Sequence, residues 1–190
     1  MQSEMVISIE LLALVSGLGA WGLLFSMIVW SIVQPAKRLW PPLLLTRSKQ
    51  VLVWLLTVMM FASAFVLGLI GWNQLSWPIP IRWGLGMPLV VLGNLIVWRG
   101  VVRLGYMVTS GAVGTLVTDG LYRRSRNPQY VADIGILLGW QIWCASFLSL
   151  PVVASGIVLL LIVPFAEEPW LRANYGRAYE QYRQRTRRYF

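Results

Sequence analysis

Two short polar blocks interrupt an otherwise apolar chain, and their side chains could bind and orient a small charged ligand. The first, residues 123–130 (RRSRNPQY), carries three arginines and a tyrosine, and the second, residues 167–176 (EEPWLRANYG), carries two adjacent acids, an arginine and a tyrosine. Residues 134–166 between them contain no charged side chain. That stretch is too long for one crossing of about 20 residues and long enough for a tight helical hairpin. Because a hairpin returns the chain to the side it left, we expect both blocks to meet at one water–lipid boundary and to form a site there.

Each block also has a simpler interpretation. The three arginines could be anchors of the kind that is routine at the cytoplasmic ends of membrane spans. Glu167 and Glu168 could serve only as ion-pair partners of nearby arginines, although adjacent acids oppose the basic trend of this region. Asp133 follows the first block, and an acid just inside a span is a functional candidate by default. It could orient an arginine, contact a substrate or act as a weak base, or its carboxylate could simply reach water.

The composition indicates an integral membrane protein. Apolar residues make up 57% of the 190 residues and charged residues 12%, against roughly 25% charged in soluble domains. The 11 tryptophans and 7 tyrosines suit the headgroup level of a bilayer, where amphipathic rings collect. The net charge of +9 is explained by positive-inside loops and by attraction to anionic headgroups. We therefore expect a membrane partner and no nucleic acid.

Two absences limit the chemistry. The chain has no histidine, which excludes imidazole acid–base catalysis, histidine-ligated metals and a Ser-His-Asp triad. Cys144 is the single cysteine, which excludes an internal disulfide or a thiolate metal cluster, and we expect no metal. The reaction must therefore proceed without a group whose ordinary pKa lies near neutral pH.

Hydropathy and basic residues together predict an all-α integral membrane fold with five transmembrane helices. The predicted spans are about 11–33, 51–72, 83–98, 131–147 and 152–165. The basic clusters fall in loops after the first and third spans and at the C-terminus, which predicts the N-terminus outside and the C-terminus in the cytoplasm. We expect a single domain over 1–190, with the first three spans in 1–98 and a loop, the hairpin and a last helix in 99–190.

Two segments outside the spans are predicted to complete a site. Residues 100–127 contain several glycines, and we expect this loop to fold over the cytoplasmic mouth. Residues 168–186 are predicted to form a separate amphipathic helix with Pro169 in its first turn. Its stripe of Leu171, Tyr175, Ala178 and Tyr182 could lie against lipid or close one wall of a cofactor pocket, and both can hold.

These residues resemble a known family, the isoprenylcysteine carboxyl methyltransferases, in a broad group that also contains phospholipid N-methyltransferases. The resemblance covers about residues 100–190. It is carried by residues 116–123 (LVTDGLYR), 126–130 (RNPQY) and 167–169 (EEP), followed by Tyr175, Gly176, Tyr179, Tyr182, Arg187 and Arg188. It implies S-adenosylmethionine bound at the cytoplasmic interface and a lipophilic small-molecule or lipid acceptor that enters from the bilayer.

The residue chemistry agrees with that cofactor. Arg126 and Arg172 can offer forked donors to its carboxylate, and the two acids can accept from its ammonium or ribose hydroxyls. Tyrosine rings can flank the adenine or face the sulfonium. The expected cofactor-binding residues are Tyr122, Arg126, Asn127, Pro128, Tyr130, Glu167, Glu168, Tyr175, Tyr179 and Tyr182, and the expected catalytic residues are Arg172, Glu167 and Asp133. Methyl transfer depends largely on positioning and exclusion of water, so it tolerates the absence of histidine.

One position departs from the family pattern, because Asn127 stands where many members have histidine. An amide can still donate and accept hydrogen bonds, but it cannot accept a proton. This puts amine or hydroxyl acceptors that need deprotonation in doubt, whereas a carboxylate or thiolate needs no base. The alternatives that stay open are phospholipid or amine N-methylation, an NADPH-dependent membrane reductase with a related hairpin, and a non-catalytic membrane subunit. The short loops suggest a prokaryotic inner membrane.

Overall fold

The chain folds into five helices in a computed structural model that describes residues 2–189, with side chains from residue 5 onward. We label them α1 (Gln2–Val33), α2 (Arg47–Ile70), α3 (Ile79–Leu104), α4 (Pro128–Cys144) and α5 (Leu150–Arg185). No strand occurs within residues 2–189, where the only β-type pairing is an isolated bridge between Ser125 and Arg187. The prediction of an all-α fold is confirmed.

Four helices, α1, α2, α3 and α5, are long and apolar enough to cross a membrane. Helix α4 has 17 residues, and a rise of about 1.5 Å per residue gives it about 26 Å, slightly less than the roughly 30 Å hydrocarbon core. Several of its side chains are buried against neighbouring helices, among them Leu137 and Trp140. The count of five spans and the orientation in the membrane therefore stay predictions.

Helix α3 is longer than the predicted span of 83–98, because a wide turn accommodates its proline. Residues Arg82–Gly86 form a π-helical segment immediately before Met87 and Pro88. In a regular α-helix the ring of Pro88 would clash with the carbonyl of Gly84, and a π turn changes that spacing. The apolar helix consequently continues through this region.

The helices pack closely where glycines face each other. A Cβ atom added at Gly139 of α4 would lie 2.7 Å from the carbonyl oxygen of Gly86 in α3. At Gly17 of α1, a Cβ would lie 2.6 Å from the Cβ of Ser63 in α2, and Ser63 Oγ lies 3.2 Å from Ser16 Oγ. Small residues of this kind let helix backbones approach one another inside a membrane.

The hairpin of α4 and α5 has the predicted geometry. At its turn, Asn73 N donates to Cys144 O (2.7 Å) and Leu75 N donates to Ala145 O (2.9 Å), so the α2–α3 connection covers that end. At the opposite end, Trp40 contacts Glu167, and Arg126 contacts Glu168. Both polar blocks therefore lie at the same end of the bundle, as the uncharged stretch predicts.

The C-terminal helix differs from the prediction. It does not begin at residue 168, because α5 continues without interruption from Leu150 past Pro164 and Pro169. The break comes later, at Gly176, whose φ of 51° and ψ of −126° are accessible essentially to glycine alone. The acids of the second block consequently lie inside a continuous helix, and only the last turns of α5 change direction.

The loop of the site is also shorter than predicted. Its first residues belong to α3, which ends at Leu104, and residues 105–127 contain two single turns, Tyr106–Thr109 and Gly120–Arg123. This loop is held against α5, because Tyr175 Oη donates to Gly114 O (2.8 Å). The expected cover over the polar end is therefore present, but its cytoplasmic position stays a prediction.

Replacement of Gly139 by alanine should destabilise the bundle. The added methyl group would meet the α3 backbone at Gly86 and Val90, and such overpacking costs about 1–3 kcal/mol. Gly135→Ala, in the same helix, is the matched control, since no atom lies within 4 Å of its added Cβ. Denaturant titration in detergent should show a clear loss for Gly139→Ala and none for Gly135→Ala. Equal effects would contradict the close packing of α3 on α4.

Candidate active site

A buried ion cluster joins the two polar blocks. Glu168, only 6% exposed, forms salt bridges from Oε1 to Arg126 Nη2 (3.1 Å) and Arg188 Nε (2.7 Å), and its Oε2 accepts from Arg188 Nη2 (3.0 Å). The Arg188 guanidinium also lies 4.0 Å above the Phe165 ring. The hydrogen bond and charge of Glu168 raise the pKa of Arg188 further above its ordinary value. This cluster fixes Arg126 relative to α5.

Backbone contacts extend the same junction to the end of the chain. Arg126 N donates to Arg187 O (2.9 Å), and Asn127 Nδ2 donates to Arg188 O (2.9 Å). Ser125 Oγ donates to the same carbonyl at 3.3 Å. The amide of Asn127 is thus used to attach the C-terminal segment to the first block. The sequence offered no signal for this pairing, because it joins two irregular segments.

Glu167 occupies a different environment from its neighbour. One of its oxygens, Oε1, accepts from Trp40 Nε1 (2.9 Å) and from Tyr130 Oη (2.5 Å). Trp40 is itself positioned by Ser31 at the end of α1, whose Oγ accepts from Leu39 N and Trp40 N, both at 2.9 Å. Trp40 and Ser31 were not predicted from the sequence as site residues. A tryptophan near the end of a span is ordinary at a membrane interface, and a single serine matches no motif.

Tyrosines form the adjoining wall. Tyr122, Tyr179 and Tyr182 make a buried cluster, with Tyr175 packed against it. Tyr182 Oη donates to Tyr122 O (2.6 Å), and Tyr122 Oη donates to Gln129 Oε1 (3.2 Å). Burial, together with the nearby Tyr182 and Glu167, raises the pKa of Tyr122 well above its ordinary value. The cluster consequently presents neutral aromatic surfaces.

A cavity lies between these groups, bounded by loop 105–127, the start of α4 and the end of α5. Its lining includes most residues predicted to bind a cofactor, namely Tyr122, Arg126, Asn127, Tyr130, Glu167, Tyr175, Tyr179 and Tyr182. In the described part of the chain, four predicted site residues lie outside this lining: Pro128, Asp133, Glu168 and Arg172.

Those four residues have other surroundings. Pro128 is the first residue of α4, where its missing N–H is no loss, and Glu168 lies behind the wall in the ion cluster. Arg172 forms a half-exposed pair with Glu180, with Nε 2.9 Å from Oε1. Asp133 is a half-buried residue of α4. The polar blocks meet as predicted, but only part of each faces the cavity.

The cavity wall carries donors that lack partners. Within residues 2–189, Arg126 Nε, Arg126 Nη1 and Tyr179 Oη are buried and make no hydrogen bond. Leaving such groups unpaired is costly, so in the native protein they pair with water or with a bound ligand. Arg126 and Tyr179 both line the cavity, so together they form an electropositive corner suited to an anionic acceptor such as a carboxylate.

A family model described as phospholipid methyltransferase matches residues 81–178, just over half of the chain. The chain belongs to this family. Phospholipid methyltransferases use S-adenosylmethionine, so the protein is a methyltransferase of that class and acts in the membrane on a lipid-like substrate. No curated protein and no solved structure shows a significant match. The matched segment does not include α1 or α2, nor the cavity residues Trp40, Tyr179 and Tyr182.

Glu168→Ala should destabilise this methyltransferase strongly. The substitution would leave two partly or fully buried arginines without their acid, and breaking a buried pair costs about 3–5 kcal/mol. Glu180→Ala is the control on the same helix, because its pairs with Arg172 and Arg183 are about 38% exposed and such pairs contribute about 1 kcal/mol or less. Thermal unfolding in detergent should separate the variants. Similar losses would mean that the Glu168 cluster is not a structural anchor.

Proposed function

We propose that the protein transfers a methyl group from S-adenosylmethionine to a lipophilic small molecule or lipid at the cytoplasmic membrane interface, in a reaction like that of isoprenylcysteine carboxyl methyltransferases. One observation carries this proposal. The unpaired donors of Arg126 and Tyr179 lie in the wall of a cavity that also presents tyrosine rings and one carboxylate, Glu167. A zwitterionic cofactor with an aromatic base matches that set of groups.

The residues fit each part of the cofactor. Arg126 and Tyr179 would hold its carboxylate through charge-assisted hydrogen bonds. Glu167 Oε1 is already fixed by two donors, and its other oxygen remains to accept from the ammonium or a ribose hydroxyl. The rings of Tyr122, Tyr175 and Tyr182 would pack on the adenine. When bound, S-adenosylmethionine supplies an activated methyl group.

Glu168 would act through Arg126 rather than on the cofactor. Its carboxylate balances the charge of Arg126 and holds one edge of the guanidinium, which leaves the opposite donors free. Of the three catalytic candidates, Glu167 lines the cavity, whereas Arg172 pairs with Glu180 and Asp133 lies on α4 outside the lining. Glu167 is therefore the candidate that geometry supports, and Arg172 and Asp133 have no such support.

The lack of a side chain that ordinarily titrates near neutral pH favours a carboxylate or thiolate as the methyl acceptor. The chain has no histidine, and the amide of Asn127 donates to Arg188 O. A carboxylate or thiolate reacts without prior deprotonation, so it needs only to be positioned against the methyl group with water excluded. Apolar lining residues such as Leu116 and Leu171 would exclude that water.

Phospholipid N-methylation is the second candidate, and the name of the matched family favours it. An amine acceptor must lose a proton before or during methyl transfer. Glu167 is the one carboxylate among the described lining residues, so it would have to receive that proton. If the reaction is N-methylation, Glu167 would therefore accept the proton. If the reaction is carboxyl methylation, Glu167 would bind the cofactor.

Tyr179→Phe should weaken cofactor binding without destabilising the fold. Its hydroxyl has no partner within the described chain, so its removal costs no protein contact but removes one hydrogen bond to the cofactor. Calorimetry with S-adenosylhomocysteine should show roughly a 3–10-fold loss for Tyr179→Phe and about 10–100-fold for Arg126→Ala. Arg124→Ala, an exposed residue of the same block, is the control. Unchanged affinity in both test variants, or no binding by the wild type, would reject this cofactor site.

The chemical stability of the product should separate the two candidates. With radiolabelled S-adenosylmethionine and an extract of membrane lipids as acceptors, carboxyl methylation yields an ester, and mild alkali releases its label as methanol. N-methylation places the label on an amine, which stays non-volatile even when alkali deacylates the lipid. We expect label that alkali converts to volatile methanol, abolished in Arg126→Ala. Label that stays non-volatile after alkali would support N-methylation and reject the carboxyl acceptor.

A further inference from the structure

A second pocket lies beside the cofactor cavity and shares part of its wall. Gly111, Ala112 and Trp170 line both. The other lining residues of the second pocket are Val113, six residues of the loop between α1 and α2, including Arg38 and Leu44, and three residues of α5, including Asn174. The six loop residues lie outside the segment that matches the family.

The pocket contains a buried cation with no acid to balance it. Arg38 is 7% exposed, and its Nη2 donates to Ala166 O (3.1 Å). Its Nε is buried with no partner, and within residues 2–189 no carboxylate lies within ion-pair distance. Burial lowers the pKa of Arg38, with no charge partner to offset it. An uncompensated buried guanidinium is unfavourable unless an anion joins it.

The nearest acids along α5 are already engaged. Glu167 accepts from Trp40 and Tyr130, and Glu168 is held by Arg126 and Arg188. Neither forms an ion pair with Arg38 in the structure. Arg38 thus lines the second pocket with a buried donor that has no partner in the described chain.

The mouth of the pocket is apolar with a basic rim. Leu43 and Leu44 line it and expose 63% and 76% of their surface, which suits contact with lipid rather than water. Lys49 Nζ lies 3.2 Å from the carbonyl of Leu44, so a second positive charge stands at the entrance. A ligand that matches this surface has an anionic end and an apolar body.

We propose that this second pocket binds a membrane amphiphile through an oxyanion at its polar end, with Arg38 as the residue that contacts the oxyanion. A guanidinium matches the geometry of phosphate and carboxylate oxygens. The apolar chains lie along Leu43 and Leu44, and Lys49 adds attraction at the rim. The shared wall at Trp170 places the bound amphiphile next to the cofactor cavity. Its role as the methyl acceptor rests on the proposed function, whereas the binding itself does not.

The test uses the full-length protein in neutral detergent and three probes in calorimetry. Dioctanoyl phosphatidic acid carries the anion and the chains, dioctanoylglycerol carries the chains alone, and inorganic phosphate carries the anion alone. We expect saturable binding of dioctanoyl phosphatidic acid, at least about tenfold tighter than either other probe. Arg38→Gln should weaken it by about tenfold or more, as expected for the loss of a charged hydrogen-bond donor.

Two further variants make the result decisive. Arg47→Gln removes the same charge from an exposed position in the same region and should leave affinity within about twofold of wild type. Ala173→Phe fills the pocket from α5 while Arg38 is retained, and it should weaken binding as Arg38→Gln does. If Arg38→Gln fails to fold because the bond to Ala166 is lost, Ala173→Phe decides alone.

The outcomes separate this proposal from the proposed function. The pocket would be rejected if Arg38→Gln and Ala173→Phe bound dioctanoyl phosphatidic acid as tightly as the wild type does. It would also be rejected if Arg47→Gln lost as much affinity as Arg38→Gln, because the lipid would then be adsorbing to a basic surface. Inorganic phosphate binding as tightly as the lipid would reject the amphiphile. Binding of S-adenosylhomocysteine is measured in parallel and should be unchanged in all three variants. Lipid binding without any cofactor binding would reject the proposed function and leave this inference intact.

Discussion

The structure depends on a single buried carboxylate with two arginine partners. Glu168 is removed from water, which would be strongly unfavourable for a lone charge, and Arg126 and Arg188 offset that cost. These partners come from opposite ends of the C-terminal half of the chain. Their pairing therefore attaches the first polar block and the chain terminus to α5, beside the cavity.

The adjacent acid has a different role because its partners differ. Glu168 is saturated by two cations, whereas Glu167 accepts from the neutral donors Trp40 and Tyr130 and lines the cavity. Successive residues of a helix point about 100° apart, so one acid faces the ion cluster while the other faces the cavity. Adjacent acids in the sequence thus supply one carboxylate in the ion cluster and one in the cavity wall.

Two cavities meet at Trp170 and at the turn containing Gly111. The φ of 95° at Gly111 favours glycine, and a Cβ there would lie 3.2 Å from the Trp40 ring. One cavity presents the donors of Arg126 and Tyr179, and the other presents Arg38 beside exposed leucines. The proposed water-soluble cofactor and membrane-derived amphiphile need opposite environments, and a wall of one ring and one tight turn would let them lie side by side.

The sequence by itself determined the helical membrane fold and the meeting of the polar blocks. The length of a segment without charged residues determines whether it can cross the lipid once or twice. The uncharged segment 134–166 is long enough for a hairpin, which predicts that the chain returns to the side it left. The absence of histidine from the sequence also excluded imidazole chemistry, since composition is independent of fold.

The tertiary structure decided which side chains face the cavity. Trp40 joined the site from the loop between α1 and α2, and Ser31 holds it there from the end of α1. Arg172 pairs with Glu180, and the straight part of α5 ends at Gly176 rather than at residue 168. Those outcomes depend on packing and backbone angles between distant segments, which local patterns do not encode.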